Sequence, residues 1–198
     1  DSFGLDGKEG KSLRSSVNHM TKLDYYTKLY KPPLPNNLLQ SLRVVSDSWL
    51  TMTKGTEKRF SLGWFDDDYI RNAPVMAVHN PKGAITAFAN IVPEYQIDEI
   101  TIDLMRYEAE AEHGTMDFLF VELFKWAKAE GYATFNLGLS PLAGVGEKPD
   151  DLAIERAIHL IYEHMNRFYS FKGVRAFKEK FHPEWSPRYL VYPGTASL

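Results

Sequence analysis

Two charged residues stand out in and beside a segment that otherwise predicts an apolar strand. Residues 97–105 alternate as a strand does, and Asp103 lies between Ile102 and Leu104. A carboxylate at this position either has a structural role at a strand end or binds a substrate cation. Arg106 follows three positions later, and on an ideal strand the two side chains point to opposite faces. They can converge only if the strand ends or bulges near Leu104.

A second group of candidate residues forms a basic row near the C-terminus. Tyr169, Lys172, Arg175 and Lys178 are spaced three apart, so on a helix they lie in one sloping row, with phenylalanines between them. Basic charge beside aromatic rings suits nucleic-acid ends and membrane interfaces alike. The alternative is a basic helix end that is stabilised by the helix dipole.

Four more polar residues occupy positions where they could face a cleft. Asn90, Asn136 and Ser140 are polar groups at apolar strand positions. Glu163 belongs to a predicted helix over residues 151–169 and lies opposite its apolar stripe, where simple exposure to solvent is the alternative.

Several kinds of chemistry are excluded by composition and spacing. The chain has no cysteine, which excludes a thiolate nucleophile and a cysteine-ligated zinc ion. His159 and His164 are five positions apart, whereas a metal-binding pair on a helix is four apart. We therefore expect no metal. No apolar stretch approaches the roughly 20 residues of a membrane-spanning helix, so we expect these residues to be soluble.

The elements that must position these residues can be read from periodicity, glycine and proline. In chain order we predict first a helix over 11–23 and a helix capped by Asn36 or Asn37, and then three strands, over 75–78, 84–92 and 97–105. A helix that begins at 114–115 and ends at Gly131 follows, and then a strand over 135–139. The last elements are the helix over 151–169 and a strand over 189–192.

This order of elements predicts the topology of the sheet. The first three strands can form an antiparallel meander, and the fourth follows a crossover helix, so it should run parallel to the third. The order is that of an acetyltransferase-like domain of the GNAT type. We therefore predict an α/β (α+β) fold, with a mixed sheet flanked by helices. In that fold the parallel strands separate at one end, and the acyl donor lies in the gap.

The turn before the helix at 114–115 argues against coenzyme A as the donor. GNAT enzymes that use coenzyme A have a glycine-rich turn there, whose N–H groups hold the pyrophosphate at the helix start. Here the turn retains one glycine, Gly114, and has Glu110 and Glu112 nearby. Two like charges 4 Å apart cost about 4 kcal/mol at an effective dielectric constant of 20. We therefore expect no cofactor.

Charge is distributed unevenly along the chain, although the formal net charge is only −3. Residues 94–117 contain eight acidic residues and one basic residue, whereas residues 163–188 contain six basic and three acidic residues. An anionic partner could therefore meet the basic segment alone, and solvated faces of mixed sign are the alternative.

Several ordered segments carry a resemblance to a known family. They are FSLGWFDDDYI (60–70), ITAFANIVP (85–93), ITIDLMRY (100–107), HGTMDFLF (113–120), FNLGLSPLAGVG (135–146) and FYSFKGVRAFKEKFHPEW (168–185). Residues 60–198 thereby resemble the C-terminal catalytic domain of the aminoacyl-phosphatidylglycerol synthases. These are the lysyl- and alanyl-phosphatidylglycerol synthases, also called multiple peptide resistance factors.

The resemblance also implies a domain organisation. Residues 11–50 resemble the family's connector into its last acyltransferase-like repeat. We therefore expect residues 1–35 to be a connector with a basic helix from a preceding repeat, and residues 36–198 to be the GNAT-like aminoacyltransferase domain. Because the sequence begins at Asp1, we expect a longer parent protein that carries the preceding repeat and the family's membrane helices.

The resemblance implies a reaction as well. A glycerol hydroxyl of phosphatidylglycerol attacks the aminoacyl ester of a transfer RNA, and an aminoacylated lipid forms. The partners would be aminoacyl-tRNA, phosphatidylglycerol at the membrane surface, and the preceding repeat and membrane domain of the parent chain. The place would be the cytoplasmic face of the plasma membrane.

Roles for the candidate residues follow from this resemblance. Asp103, within the family's Asp-x-x-Arg, and Glu163 would bind the amino-acid part, while Arg106 would orient Asp103 or bind a phosphate. Lys178 would position phosphates of lipid or RNA. These four are the predicted catalytic residues. The predicted substrate-binding residues are Asn90, Asn136, Ser140, Tyr169, Lys172 and Arg175.

The sequence is compatible with two other functions. One is an N-acetyltransferase that depends on an acyl-coenzyme A, and the other is a non-catalytic module that docks anionic lipid or RNA. The transferred amino acid could be lysine, alanine or arginine, and the acidity of the predicted pocket favours a cationic one.

Overall fold

A computed structural model of the chain describes residues 4–53, 64–141, 143–146, 159 and 171–189. Two compact units are distinguished, Asp1–Leu139 and Ser140–Leu198. The described strands are β1 (Tyr26–Tyr30), β2 (Val75–His79), β3 (Ile85–Glu94), β4 (Glu99–Tyr107) and β5 (Thr134–Asn136). The described helices are α1 (Lys11–Lys22), α2 (Asn36–Met52), α3 (Asp67–Arg71), α4 (Thr115–Ala129) and α5 (Phe171–Glu179).

The strands of the first unit form one sheet in the order β1-β2-β3-β4-β5. β1 to β4 are antiparallel to their neighbours, and β5 pairs with β4 in parallel, as predicted. The parallel pairing ends at Thr101 and Asn136, but β4 continues to Tyr107. The last part of β4 therefore runs beyond its parallel neighbour. The mixed five-stranded sheet confirms the predicted GNAT-like fold class.

A bulge interrupts the pairing of β3 with β4. Ala89 lies opposite Met105, whereas Ile91 lies opposite Ile102, so β4 contains one residue more than β3 over this stretch. The sequence left open whether the strand ends or bulges near Leu104, and the structure shows a bulge. Because an extra residue reverses the alternation of side chains, Asp103 and Arg106 can share a face of the sheet.

Helices cover the two faces of the sheet. On the face we call the α2 face, Phe88 and Leu104 pack with α2 and with Ile70 of α3. On the opposite face, which we call the α4 face, alternate residues of β2 and β3 pack with α4 and with Met20 of α1. All five residues of β2 are consequently buried, as expected for a strand covered on both sides.

The structure adds β1, which the sequence did not predict. Tyr26–Tyr30 pairs with the outer side of β2, and α1 packs against α4, so both elements belong to the first compact unit. The domain boundary at residue 35 stays a prediction.

The C-terminal end of α4 agrees with the prediction, whereas the N-terminal end of α2 differs from it. Gly131 ends α4 as predicted: its φ is +91°, and Tyr132 N donates to Ala127 O over 3.0 Å. The capping prediction for α2 was wrong, because its N-cap is Pro35 and no side chain caps it. Asn36 is already inside the helix, since the extended backbone of Pro35 ends the preceding segment.

Two predicted elements fall outside what the structure describes. Of the helix over 151–169 only His159 is described, and of the strand over 189–192 only Tyr189. The strand predicted over 135–139 is observed as β5, which is shorter and begins one residue earlier.

Candidate active site

Asp103 is joined to two other side chains on the α2 face by a chain of hydrogen bonds. Tyr69 Oη donates to Asp103 Oδ2 over 2.7 Å, and Asn90 Nδ2 donates to Tyr69 Oη over 3.1 Å. The main-chain N–H of Leu104, in the bulge, donates to Asn90 Oδ1 over 2.7 Å. The bulge therefore turns a backbone donor towards Asn90, and the chain of bonds ends at the carboxylate.

The short helix α3 places Tyr69 at this network. Asp66 caps the helix, and its Oδ1 accepts from the backbone N–H groups of Asp68 and Tyr69, each over 3.0 Å. Ile70 is fully buried in the core and anchors the helix to the sheet. The sequence predicted no role for Tyr69. The available signal was the acid three positions before it, which is a helix-capping pattern within segment 60–70.

The environment of Tyr69 keeps its hydroxyl protonated. Burial is the main cause and the hydrogen bond to Asp103 the next, and together they raise the pKa of Tyr69 to about 12. At neutral pH the hydroxyl is therefore a hydrogen-bond donor.

Arg106 lies on the same face and is only 6% exposed. Its guanidinium carbon is 3.9 Å from the centre of the Trp49 ring in α2. Asp103 contacts α3 and Arg106 contacts α2, which pack on the same face, so the bulge brings the two side chains to one side of the sheet. A stacked guanidinium keeps its charge and its in-plane N–H groups, which suit a carboxylate or a phosphate.

Asn136 stabilises the place where the parallel pairing ends. Its Nδ2 donates to Glu99 Oε1 over 2.9 Å, its Oδ1 accepts from Gly138 N over 2.8 Å, and its main-chain oxygen accepts from Thr101 Oγ1 over 2.8 Å. These bonds belong to β4, β5 and the following turn. Asn136 is thus separate from the Asp103 network, and its substrate-binding role stays a prediction.

In the second compact unit, three residues of the predicted basic row, Lys172, Arg175 and Lys178, lie on α5. Lys172 is exposed, and Arg175 is half-buried, with its guanidinium carbon 3.5 Å from the centre of the Trp185 ring and its Nε donating to Glu179 over 2.7 Å. Lys178 is only 6% exposed, and burial lowers the pKa of its ammonium group to about 8. The exposed fraction therefore decreases from Lys172 through Arg175 to Lys178.

The remaining predicted site residues, Ser140, Glu163 and Tyr169, also belong to the second compact unit. The Ser140 hydroxyl is buried and has no hydrogen-bond partner within the described ranges. Glu163 and Tyr169 lie outside the described residues, so their roles stay predictions.

The start of α4 is covered by α1. Ser16 Oγ donates to Asp117 Oδ2 over 3.0 Å, and His19 Nε2 lies 3.0 Å from Glu112 Oε1. The hydrogen bond with His19 is the main cause that lowers the pKa of Glu112. Gly114 has a φ of +89°, and a Cβ there would lie 3.0 Å from the Cβ of Ser16. This helix start therefore holds carboxylates and is in close contact with α1.

The described part of the chain contains neither a metal-binding cluster nor a membrane-spanning helix. Among these residues no group of three or more His, Cys, Asp or Glu side chains could hold a metal ion. None of the helices described is long and apolar enough to cross a membrane.

The mixed sheet, with β4 running past its parallel neighbour and a carboxylate network on that part of β4, defines a GNAT-like domain. The family model described as "Phosphatidylglycerol lysyltransferase, C-terminal" matches residues 1–192. The chain therefore belongs to this family.

Curated relatives and a solved structure agree with this assignment. The chain is 43% identical over 198 residues to a phosphatidylglycerol lysyltransferase of Bacillus subtilis and 36% identical over 197 residues to one of Staphylococcus xylosus. Each match covers 100% of this chain but 23% of the relative. The structure of L-PGS from Bacillus licheniformis is 39% identical, with a TM-score of 0.75, and the match covers 93% of this chain and 55% of that one.

Proposed function

We propose that this chain is the catalytic domain of an enzyme that transfers an aminoacyl group, lysyl or alanyl, from aminoacyl-tRNA to a glycerol hydroxyl of phosphatidylglycerol. The names of the relatives support the lipid acceptor. The observation that carries the proposal is the carboxylate of Asp103, held by Tyr69 on the part of β4 that has no parallel neighbour. A carboxylate there suits the α-ammonium group of an aminoacyl ester.

The reaction requires the protein to position its two substrates more than to activate either of them. The lipid hydroxyl oxygen attacks the ester carbonyl carbon, the bond from that carbon to the ribose oxygen of the tRNA breaks, and the ribose oxygen takes the proton. The ester is already activated, so the protein must align two substrates and stabilise an oxyanion. The group that carries the proton could be a carboxylate or the neighbouring hydroxyl of the tRNA.

The predicted residues form two groups, one that would bind the amino-acid part of the donor and one that would bind phosphates. Asp103 and Glu163 would bind the amino-acid part, because both are anions and the α-ammonium group is a cation. Arg106 and Lys178, with the substrate-binding residues of α5, would position phosphates of lipid or RNA.

We further propose a setting for the reaction. The domain would act at the cytoplasmic face of the plasma membrane, next to a preceding acyltransferase-like repeat and a membrane domain in a longer chain. The match to only 23% of each curated relative is compatible with such a chain.

The test is transfer to lipid by the full-length protein that contains these residues. It is incubated with phosphatidylglycerol vesicles and with separately charged tRNAs, and the mass of the lipid product identifies the amino acid. We expect Asp103→Ala to reduce product formation at least about tenfold, because a hydrogen-bonded contact to a charged group contributes about 1.5–3 kcal/mol. The control is Asp98→Ala, which removes an exposed carboxylate near the turn between β3 and β4.

Folding of each variant is checked by circular dichroism. Normal product formation by both Asp103→Ala and Lys178→Ala proteins with intact folds would show that the site is assigned incorrectly. Absence of any lipid product from the unmodified protein with every charged tRNA would contradict the function itself.

A further inference from the structure

The hydrogen bonds that lead to Asp103 can run in one direction only. The main-chain N–H of Leu104 can only donate, so the atom of Asn90 that faces it must be the amide oxygen. The amide NH₂ group of Asn90 then faces Tyr69, and it too can only donate. The hydroxyl oxygen of Tyr69 must therefore accept, and its single proton points to Asp103 Oδ2.

This direction has a consequence for the carboxylate. A hydroxyl that donates to Asp103 stabilises its negative charge, and a fixed donor also restricts the rotation of the carboxylate. The donor is itself fixed, because Asn90 is fully buried and α3 is anchored by Ile70 and the Asp66 cap. The carboxylate is thus oriented through one of its oxygens.

We propose that Tyr69 is a positioning residue, whose hydroxyl, oriented by Asn90, holds Asp103 in place to bind the ammonium group of the aminoacyl donor. The inference rests on the proposed function and extends it to a residue for which the sequence predicted no role. Tyr69 would act through Asp103 and would take no part in the bond changes.

The alternative is that the Tyr69 hydroxyl only stabilises the fold and does not position Asp103. Tyr69 as a residue is 38% exposed, whereas the neighbouring Ile70 is fully buried, so Ile70 and not the Tyr69 hydroxyl anchors α3 in the core. The raised pKa of Tyr69, about 12, keeps the hydroxyl protonated, and therefore a donor, at neutral pH. Loss of the hydroxyl should therefore affect binding of the donor more than folding.

The test measures kcat and KM for the charged tRNA with the full-length protein and its variants Tyr69→Phe, Asp103→Asn and the double variant. We expect Tyr69→Phe to raise KM for the donor about tenfold to a hundredfold with a smaller change in kcat, because a hydrogen bond to a charged group is lost. In the Asp103→Asn background the same change should have little further effect. The matched control is Tyr95→Phe, because Tyr95 is 92% exposed.

A second donor separates positioning of the ammonium group from general damage. A tRNA charged with the α-hydroxy analogue of the amino acid has no α-ammonium group, so Tyr69→Phe and unmodified proteins should use it equally well. A Tyr69→Phe protein that matches the unmodified one with the normal donor would overturn the inference. The inference would also be overturned if Tyr69→Phe reduced kcat/KM equally with Asp103 and with Asn at position 103, or equally with the normal and the α-hydroxy donor. If the unmodified protein transfers nothing, the proposed function fails and the inference falls with it.

Discussion

At the scale of single residues, Lys178 shows how burial changes a charged side chain. It lies in the last turn of α5, and only 6% of it is exposed. Burial disfavours the ammonium form, which lowers the pKa of Lys178 from 10.5 to about 8 in the folded protein. The residue is therefore still mostly charged at pH 7, and it loses its proton at a lower pH than an exposed lysine does.

This shift predicts a pH dependence of stability. Between pH 8 and 10.5 the unfolded chain binds more protons at this residue than the folded chain, so the free energy of unfolding should rise with pH in that window. Relative to a Lys178→Met variant, the unmodified protein should gain roughly 3 kcal/mol from pH 7.5 to 10.5. Urea denaturation of both proteins at several pH values measures the difference. Parallel pH curves would contradict the prediction.

At the scale of elements, two glycines flank α4, and only one of them, Gly114, lies against α1. Gly114 and Gly131, which flank α4, have positive φ angles of +89° and +91°. A Cβ at Gly114 would lie 3.0 Å from Ser16 Cβ, whereas a Cβ at Gly131 would meet nothing within 4 Å. The two positions therefore share the backbone strain and differ in the packing contact.

The pair allows a matched test of that packing. Gly131→Ala should lower the free energy of unfolding by about 1 kcal/mol, through backbone strain alone. Gly114→Ala should lower it by that amount and by roughly 1–3 kcal/mol more, because α1 must shift away from α4. Denaturant unfolding of both variants gives the difference. Equal losses would mean that α1 is not held tightly against the start of α4.

At the scale of the whole molecule, the fold is compatible with more than one donor. The GNAT-like arrangement by itself does not decide between a coenzyme A thioester and an aminoacyl ester. In this chain, Asp117 is buried in the first turn of α4, and Glu112 lies before the helix start. A pyrophosphate at that place would meet two carboxylates and the side chain of Ser16, which disfavours coenzyme A.

This arrangement predicts the outcome of a binding experiment. Titration of the protein with acetyl-coenzyme A in a calorimeter should give no binding heat at micromolar concentrations, while an N-acetyltransferase measured in parallel as a positive control should bind. The physical reason is repulsion between the pyrophosphate and the acidic helix start. Micromolar binding would favour the alternative function, an N-acetyltransferase that depends on acyl-coenzyme A.

Much of the fold could be predicted because it depends on local patterns. The apolar runs of β2 and β3, the alternation in β4, the apolar stripe of α2 and the glycine that ends α4 are each encoded within a few neighbouring residues. The parallel pairing of β4 with β5 followed from the crossover helix between them. Asp103 and Arg106 could be identified as candidates from their residue types, their positions in and beside a predicted strand, and the family resemblance.

What the sequence by itself determined was therefore the identity of the main elements and the residue types available for chemistry. Only the tertiary structure decided that β4 bulges at Leu104 and that Asp103 meets Tyr69, 34 positions earlier in the chain. It also decided that Tyr26–Tyr30 is a strand, because that segment becomes one by pairing with the side of β2 that β3 leaves open. These features depend on partners distant in sequence, and no local periodicity records which distant groups will meet.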